Sequence, residues 1–407
     1  MSKKKEKVPI VRFRDFSEPW LKTQLSEVAE FSKGKGYSKK DLQSHGTPII
    51  LYGRLYTNYE SAISNIETYA KLEENSVISE GGEVIIPASG ESADDISRAS
   101  CVIDRGIILG GDLNIVRPHE YLNSLFIAIT LSNGSQQREL SKRAQGKSVV
   151  HLHNSDLKAV KLFYPSYEEQ SAIGSLFRTI DDLLASYKNN LANYQSLKAT
   201  MLSKMFPKAG QTVPEIRLDG FERKWEKKKL IDLVSPVSRK VKKPSDPYYR
   251  LSIRSHAKGT FKQFVDDPKK IAMDNLFEVK ENDLVVNITF AWEHAIAVAS
   301  KEDDGLLVSH RFPTYVIDKS DKNFINIYIK REEFRQKMDL LSPGGAGRNR
   351  VLNVKDFINI QMIVPELEEQ QAIGAYFSNL DNLIAAHQEK ITQLETLKKK
   401  LLQDMFI

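Results

Sequence analysis

In two stretches of this chain, apolar residues recur at alternating steps of four and three. One beat runs Ile173, Phe177, Ile180, Leu184, Tyr187, Leu191, Tyr194, Lys198, Met201, Met205; the other runs Ile373, Phe377, Leu380, Ile384, His387, Ile391, Leu394, Lys398, Leu401, Met405. A period of about 3.5 residues keeps every member on one stripe of an α-helix and marks a coiled-coil seam. The stretches are copies: Pro165–Phe206 and Pro365–Phe406 align without a gap at an offset of 200 and share 16 of 42 residues. Each copy follows a proline and carries acids in its first turn, Glu168-Glu169 and Glu368-Glu369, which suit the positive end of a helix dipole. Roughly 39 residues at about 1.5 Å each make a rod of roughly 58 Å, far longer than an average globular helix. One such rod exposes an apolar stripe, whereas two can bury their stripes together. The intervening chain is long enough for them to meet antiparallel. The lysine in each seam, Lys198 or Lys398, either fixes register or carries its charge out to water along an apolar stem.

The repeat extends beyond the helices. Val8–Leu25 matches Val213–Leu230 at an offset of 205, with Arg12/Arg217, Phe16/Phe221, Trp20/Trp225 and Leu25/Leu230 coinciding. Phe16 and Trp20 are expected to be packing anchors, and the first head to dock near the last helix. Between head and helix lie two bodies. Glu83–Ile86 and Gly106–Leu109 read as short apolar strands, and Asp283–Val286 and Gly305–Val308 follow them 200 and 199 residues on. Residues 120–131 read as strand or helix, and 136–145 as a polar helix. The turns at 144–147 and 344–350 are each expected to lead through a short strand to the proline and the long helix. The predicted class is α+β: two similar mixed α/β domains (1–164 and 213–364) and two long helical segments (165–212 and 365–407) pairing as an antiparallel coiled coil with pseudo-two-fold symmetry.

Composition narrows the function. A 407-residue chain, 41% hydrophobic and 28% charged, is that of a globular protein with two or three domains. The single cysteine, Cys101, excludes a disulfide framework and a cysteine-rich zinc site and fits a reducing cytoplasm. The basic N-terminus lacks the apolar run of a signal peptide, and nothing later is long enough to cross a bilayer. Net charge is +6, and the segment from Glu222 to Lys243, with nine basic residues against three acidic, equals that excess by itself. Basic residues interleave with aromatics and glycines at Lys33, Lys35, Tyr37, Lys39, Lys40 and Arg54 in the first body. In the second they do so at Arg239, Lys240, Lys242, Lys243, Arg250 and Arg254. Arg143 just before one turn and Lys147 in it, with Arg348 and Arg350 in the other, complete a candidate polyanion-binding set. The frames repeat while the loops differ, which suits two domains reading two different things.

Catalytic motifs are absent from the sequence. Gly146-Lys147-Ser148 has the end of a phosphate loop but Ser141 stands where its first glycine belongs. Ser245-Asp246-Pro247-Tyr248 has part of an amino-methyltransferase element without a glycine-rich cofactor strand before it. Asp267, Glu278 and Lys280 have the residue types of a Mg²⁺-dependent nuclease. His151 and His153 alternate on a predicted strand with no third ligand.

The tandem plan resembles the specificity subunit of type I restriction-modification systems over essentially the whole chain. Pro-x-x-Glu-Glu-Gln-x-Ala-Ile-Gly opens each helix, and Val-Pro-x-x-Arg-Phe/Leu-x-x-Phe-x-x-x-Trp opens each body. The resemblance implies a non-catalytic chain whose bodies are target recognition domains, each reading half of a bipartite double-stranded DNA site, with the helices as spacer. It also implies two methyltransferase subunits and restriction subunits as partners. S-adenosylmethionine, ATP and Mg²⁺ would sit on those partners and no cofactor in this chain. Two rivals remain: a helical scaffold that never touches DNA, and a Mg²⁺-dependent nuclease.

Overall fold

The computed structural model describes residues 9–146, 149–344 and 350–406. The chain separates into two compact units, Met1–Asn190 with His387–Ile407, and Leu191–Ala386. The helices run over Tyr167–Lys204 and Leu367–Asp404, 38 residues each. Each unit therefore contains the first part of one long helix and the last part of the other.

Within each unit the two helical segments pair antiparallel. In the first unit Asp181 bonds Lys398, while Tyr187 lies against His387 with ring centroids 5.4 Å apart. In the second, Lys198 bonds Asp381. Both seam lysines thus carry charge across to an aspartate one position beyond a seam residue. Ile173, Phe177, Ile180 and Leu184 are buried; Leu191 and Met201 are half-buried. In the second helix Ile373, Phe377 and Ile391 are buried, and Ile384, Leu394 and Leu401 half-buried.

Each body is built on a repeated sheet. In the first unit its strands lie in the order Ala29–Lys33, Leu113–Pro118, Glu83–Pro87, Ser100–Val102 and Ala62–Ile63. In the second they lie in the order Ser235–Val237, Thr314–Val316, Asp283–Val286 and Ile296–Val298. The middle strands, Glu83–Pro87 and Asp283–Val286, are buried along their whole length, as their unbroken apolar runs require. The helices Ser124–Leu131 and Lys322–Tyr328 contribute buried residues to the core of each unit.

The opening motif of each long helix is where body and helix join. Glu169, 1% exposed at its side chain, accepts from Arg12 Nε and Nη2, both at 2.7 Å; Glu369 accepts from Arg217 at 2.7 and 2.6 Å. Gln170 Nε2 donates to the Pro165 carbonyl at 3.0 Å, and its Oε1 accepts from Asn123 N at 2.9 Å. Gln370 repeats this with Pro365 at 2.9 Å and Asp321 N at 3.1 Å. Asn123 and Asp321 are the N-caps of the helices just named. Gly174 and Gly374 let these caps approach: a Cβ on Gly374 would meet Asp321 Oδ1 inside contact distance and Asn323 Cβ at 2.9 Å. Glu169 and Glu369, expected to serve the helix dipole, are therefore the buried half of a bidentate clamp.

The heads close onto helix ends. Val11 N donates to the Asp404 carbonyl at 2.9 Å and Ile216 N to that of Lys204 at 3.0 Å. Trp20 and Trp225 are buried, whereas Phe16 is half-buried and rests edge-on against Phe13. The stretch at 120–131 resolves into helix, and a polar helix occupies Gly134–Arg143. Two expectations differ from the structure. A short helix, Asn154–Lys158 or Val354–Phe357, stands before the strand that precedes each proline. His153 lies at the N-cap of the first of these and not on the strand with His151, because Asp156 accepts from its backbone N–H at 2.9 Å and starts the turn.

Candidate nucleic-acid interface

The loop after Ala29–Lys33 is held tightly. A Cβ on Gly34 would strike the Gly110 carbonyl, and Gly111 N donates to Gly36 O at 2.7 Å, so glycine is needed for the two backbones to meet. Tyr37, at φ 54°, donates its hydroxyl to the Lys71 carbonyl at 2.9 Å and lies 2.6 Å from Ser76 Oγ. Asp41 accepts from the Ser38 N–H at 2.7 Å, and that bond holds its carboxyl below the usual carboxylate range. Lys33, Lys35, Lys39 and Lys40 are all exposed on this braced backbone. Four exposed cations, Lys33 at the strand end and the other three beyond it, thus stand on backbone that is already fixed.

In the second unit the corresponding cations stand on a five-stranded sheet, ordered Lys240–Lys242, Asn275–Glu278, Leu307–Val308, Tyr248–Ile253 and Thr260–Val265. The strand alternation exposes Lys240 and Lys242 on one face and turns Val241 to the other. Arg250, Arg254 and Lys262 lie on the paired strands Tyr248–Ile253 and Thr260–Val265 and the turn between them. Exposed Tyr249 and Phe264 accompany them, with ring centroids 5.0 Å apart.

The described arginines of the set are all engaged by the protein: Arg250 donates to Gln263, and Arg254 donates to the Thr260 carbonyl and lies 5.1 Å over the Phe261 ring. Arg239 forks onto Asp283, whose side chain is 3% exposed, and that bond raises its guanidinium pKa further. Arg54 binds Glu60 at 2.6 Å and the Asn65 carbonyl at 2.9 Å. Arg143 binds Glu139 at 2.9 Å and the Ala159 carbonyl at 3.2 Å. Arg350 binds Asp339 at 2.5 Å and lies 5.5 Å over the Trp292 ring. Lys243 donates to the Ile271 carbonyl at 2.6 Å. Lys147 and Arg348 lie outside the described residues. The structure thus sorts the candidate set into exposed cations and cations that brace loops. Sequence alone offers one signal for that sorting: Asp283 matches buried Glu83 at the same point of the repeated strand, a fixed acid that needs a fixed partner.

Of the rival enzyme residues, Glu278 binds Lys280 at 2.7 Å, and Asp267 caps a 3₁₀ turn by accepting from Lys269 N. Among the described residues no group of three or more His, Cys, Asp or Glu side chains is placed to hold a metal.

Comparisons with known proteins agree with this layout. The family model of the type I restriction modification DNA specificity domain matches residues 17–194 and again 222–396, once per repeat. The specificity subunit of the type I restriction enzyme MjaVIII of Methanocaldococcus jannaschii is 20% identical over 404 residues, 95% of this chain and 91% of that one. The putative type I restriction enzyme MjaX specificity subunit of the same organism is 22% identical over 327 residues, 73% of this chain and 70% of that one. In fold, the chain is similar to the crystal structure of a type I restriction-modification system S subunit from M. genitalium. The TM-score is 0.57 at 14% identity, covering 98% of this chain and 99% of that one.

Proposed function

This chain belongs to the type I restriction modification DNA specificity family, and on that premise we propose that its two bodies read the two words of a bipartite duplex target. The observation that carries the reading is the unequal divergence of the two repeats. The Arg–Glu clamp, the capped helix and the central strand recur in both units, while the loops and outer sheets that bear the exposed cations differ. A purely structural duplication gives no reason for change to concentrate there.

In this reading Lys33, Lys35, Lys39 and Lys40 of the first body and Lys240 and Lys242 of the second take phosphates, which set register without carrying sequence. The long helices serve as the ruler for the unread gap between the words. Other subunits supply the reaction: two methyltransferase subunits binding S-adenosylmethionine, and restriction subunits using ATP and Mg²⁺. No described helix is long and apolar enough to cross a membrane, and we place the complex in the cytoplasm with the chromosome it would modify.

Genome-wide mapping of methylated adenines, with the chain present and deleted, tests the proposal. A bipartite motif that disappears on deletion supports it. Methylation independent of the chain, or turnover of DNA by the purified chain alone, would sink it.

A further inference from the structure

The second unit carries an element that the first does not match. Tyr248–Ile253 and Thr260–Val265 form an antiparallel ribbon with six residues in each strand, whereas the second sheet of the first unit, ordered Ile108–Leu109, Thr47–Ile50, Tyr69–Ala70 and Leu42–Gln43, has strands of four residues or fewer. Thr260–Val265 is the last strand of its sheet, and four of its six residues are exposed. From Tyr248 to Val265 the sequence contains Arg250, Arg254, Lys258 and Lys262 and no aspartate or glutamate. Acids from outside the ribbon anchor its turn end: Thr260 Oγ1 donates to Asp303 Oδ2 at 2.8 Å and Ser255 Oγ to Glu293 Oε2 at 2.5 Å. A long edge strand with exposed aromatics invites pairing with another chain unless charge blocks it. Here the blocking charge is all positive, which also complements a polyanion.

Arg250 and Gln263 face each other directly across the ribbon, and Arg250 Nε donates to Gln263 Oε1 at 3.0 Å. That bond spends Nε and the glutamine acceptor. It leaves the Nη groups with no bonded partner among the described residues, on a side chain held in one plane. A planar guanidinium presenting paired N–H donors matches guanine O6 and N7, and the major groove of duplex DNA is wide enough to admit a two-stranded ribbon. We infer that this ribbon enters the major groove, where Arg250, braced by Gln263, reads a guanine in the word recognised by the second body. The inference rests on the DNA-reading function proposed above and gives that site a residue and a base.

The test uses the full chain assembled with its methyltransferase subunits on a library of random duplexes, scored by adenine methylation. Arg250→Ala should weaken the preference for one G·C pair, in one word only, by about tenfold or more, leaving the other word as it was. Gln263→Ala, a change at an exposed side chain, should relax the same position to a smaller degree, and Gln263→Glu, which keeps the acceptor, should restore it. A wild-type motif that is bipartite and unmoved by Arg250→Ala removes the ribbon's role alone. A uniform fall at every site, with less methyltransferase co-purifying, makes the ribbon a protein-docking edge and overturns the proposal. A wild-type complex with no bipartite motif overturns the underlying reading itself.

Discussion

Replacing Arg12 or Arg217 with methionine should loosen one unit and spare the other. Glu169 and Glu369 are each 1% exposed at the side chain, against 11% for Arg12 and 14% for Arg217. Removing the arginine strands a carboxylate that water barely reaches. Breaking a buried pair from one side costs about 3–5 kcal/mol, and at about 1.4 kcal/mol per factor of ten the opening constant rises by roughly 10² to a few times 10³. Removing the glutamate should cost less, about 1–3 kcal/mol, because the arginine is nearer to solvent. Replacing both with methionine should recover most of the loss. The two clamps are not equal. Trp225 Nε1 donates to Glu369 at 3.3 Å, while buried Trp20 Nε1 has no bonded partner, so Glu369 keeps a donor after Arg217→Met. Arg12→Met should therefore be the worse lesion. Hydrogen exchange reads this directly, through the paired strands Leu21–Gln24 with Lys161–Tyr164 in the first unit and Glu226–Lys229 with Gln361–Val364 in the second. Protection that falls less than about threefold, or equally in both units, would refute the clamp's local role.

Three further sets of substitutions and one insertion probe the rest of the molecule. Lys240→Glu with Lys242→Glu should weaken binding to all duplexes alike and flatten the salt dependence by about two phosphate contacts, read by titration at several salt concentrations. Lys198→Asp should lower the melting temperature, and Asp381→Lys added to it should restore part of the loss if the cross-helix pair sets register. Gly374→Ala should destabilise more than Gly174→Ala in thermal unfolding, since the added Cβ meets Asn323 Cβ at 2.9 Å in one case and Asn123 Oδ1 at 3.2 Å in the other. One helical turn, about 5.4 Å, inserted near Ala192 should shift the preferred gap by about one or two base pairs, measured on duplexes of graded spacing.

The helices were legible because a 3.5-residue beat sustained over some 38 residues has no other physical reading, and because it is written twice. The sheet frame was legible where apolar runs repeat, at Glu83–Pro87 and Asp283–Val286. Arg12, Glu169 and Gln170 stood in view as identical positions, yet identity does not say which residues meet. That pairing is a tertiary fact joining residues 157 apart. The candidate interface was harder still. Charge and spacing mark Lys33 and Arg239 alike, but Lys33 is exposed while Arg239 is held by Asp283. Only the fold tells a solvated cation from one that braces a loop. The short helix before each final strand was missed because four or five residues carry no periodic signal.

The most direct trial of the central claim varies the gap between the two words in otherwise identical duplexes and measures affinity at fixed salt. Two grips held a set distance apart predict one sharply preferred gap, with affinity falling steeply when a few base pairs are added or removed. Affinity that stays level as the gap changes would contradict it.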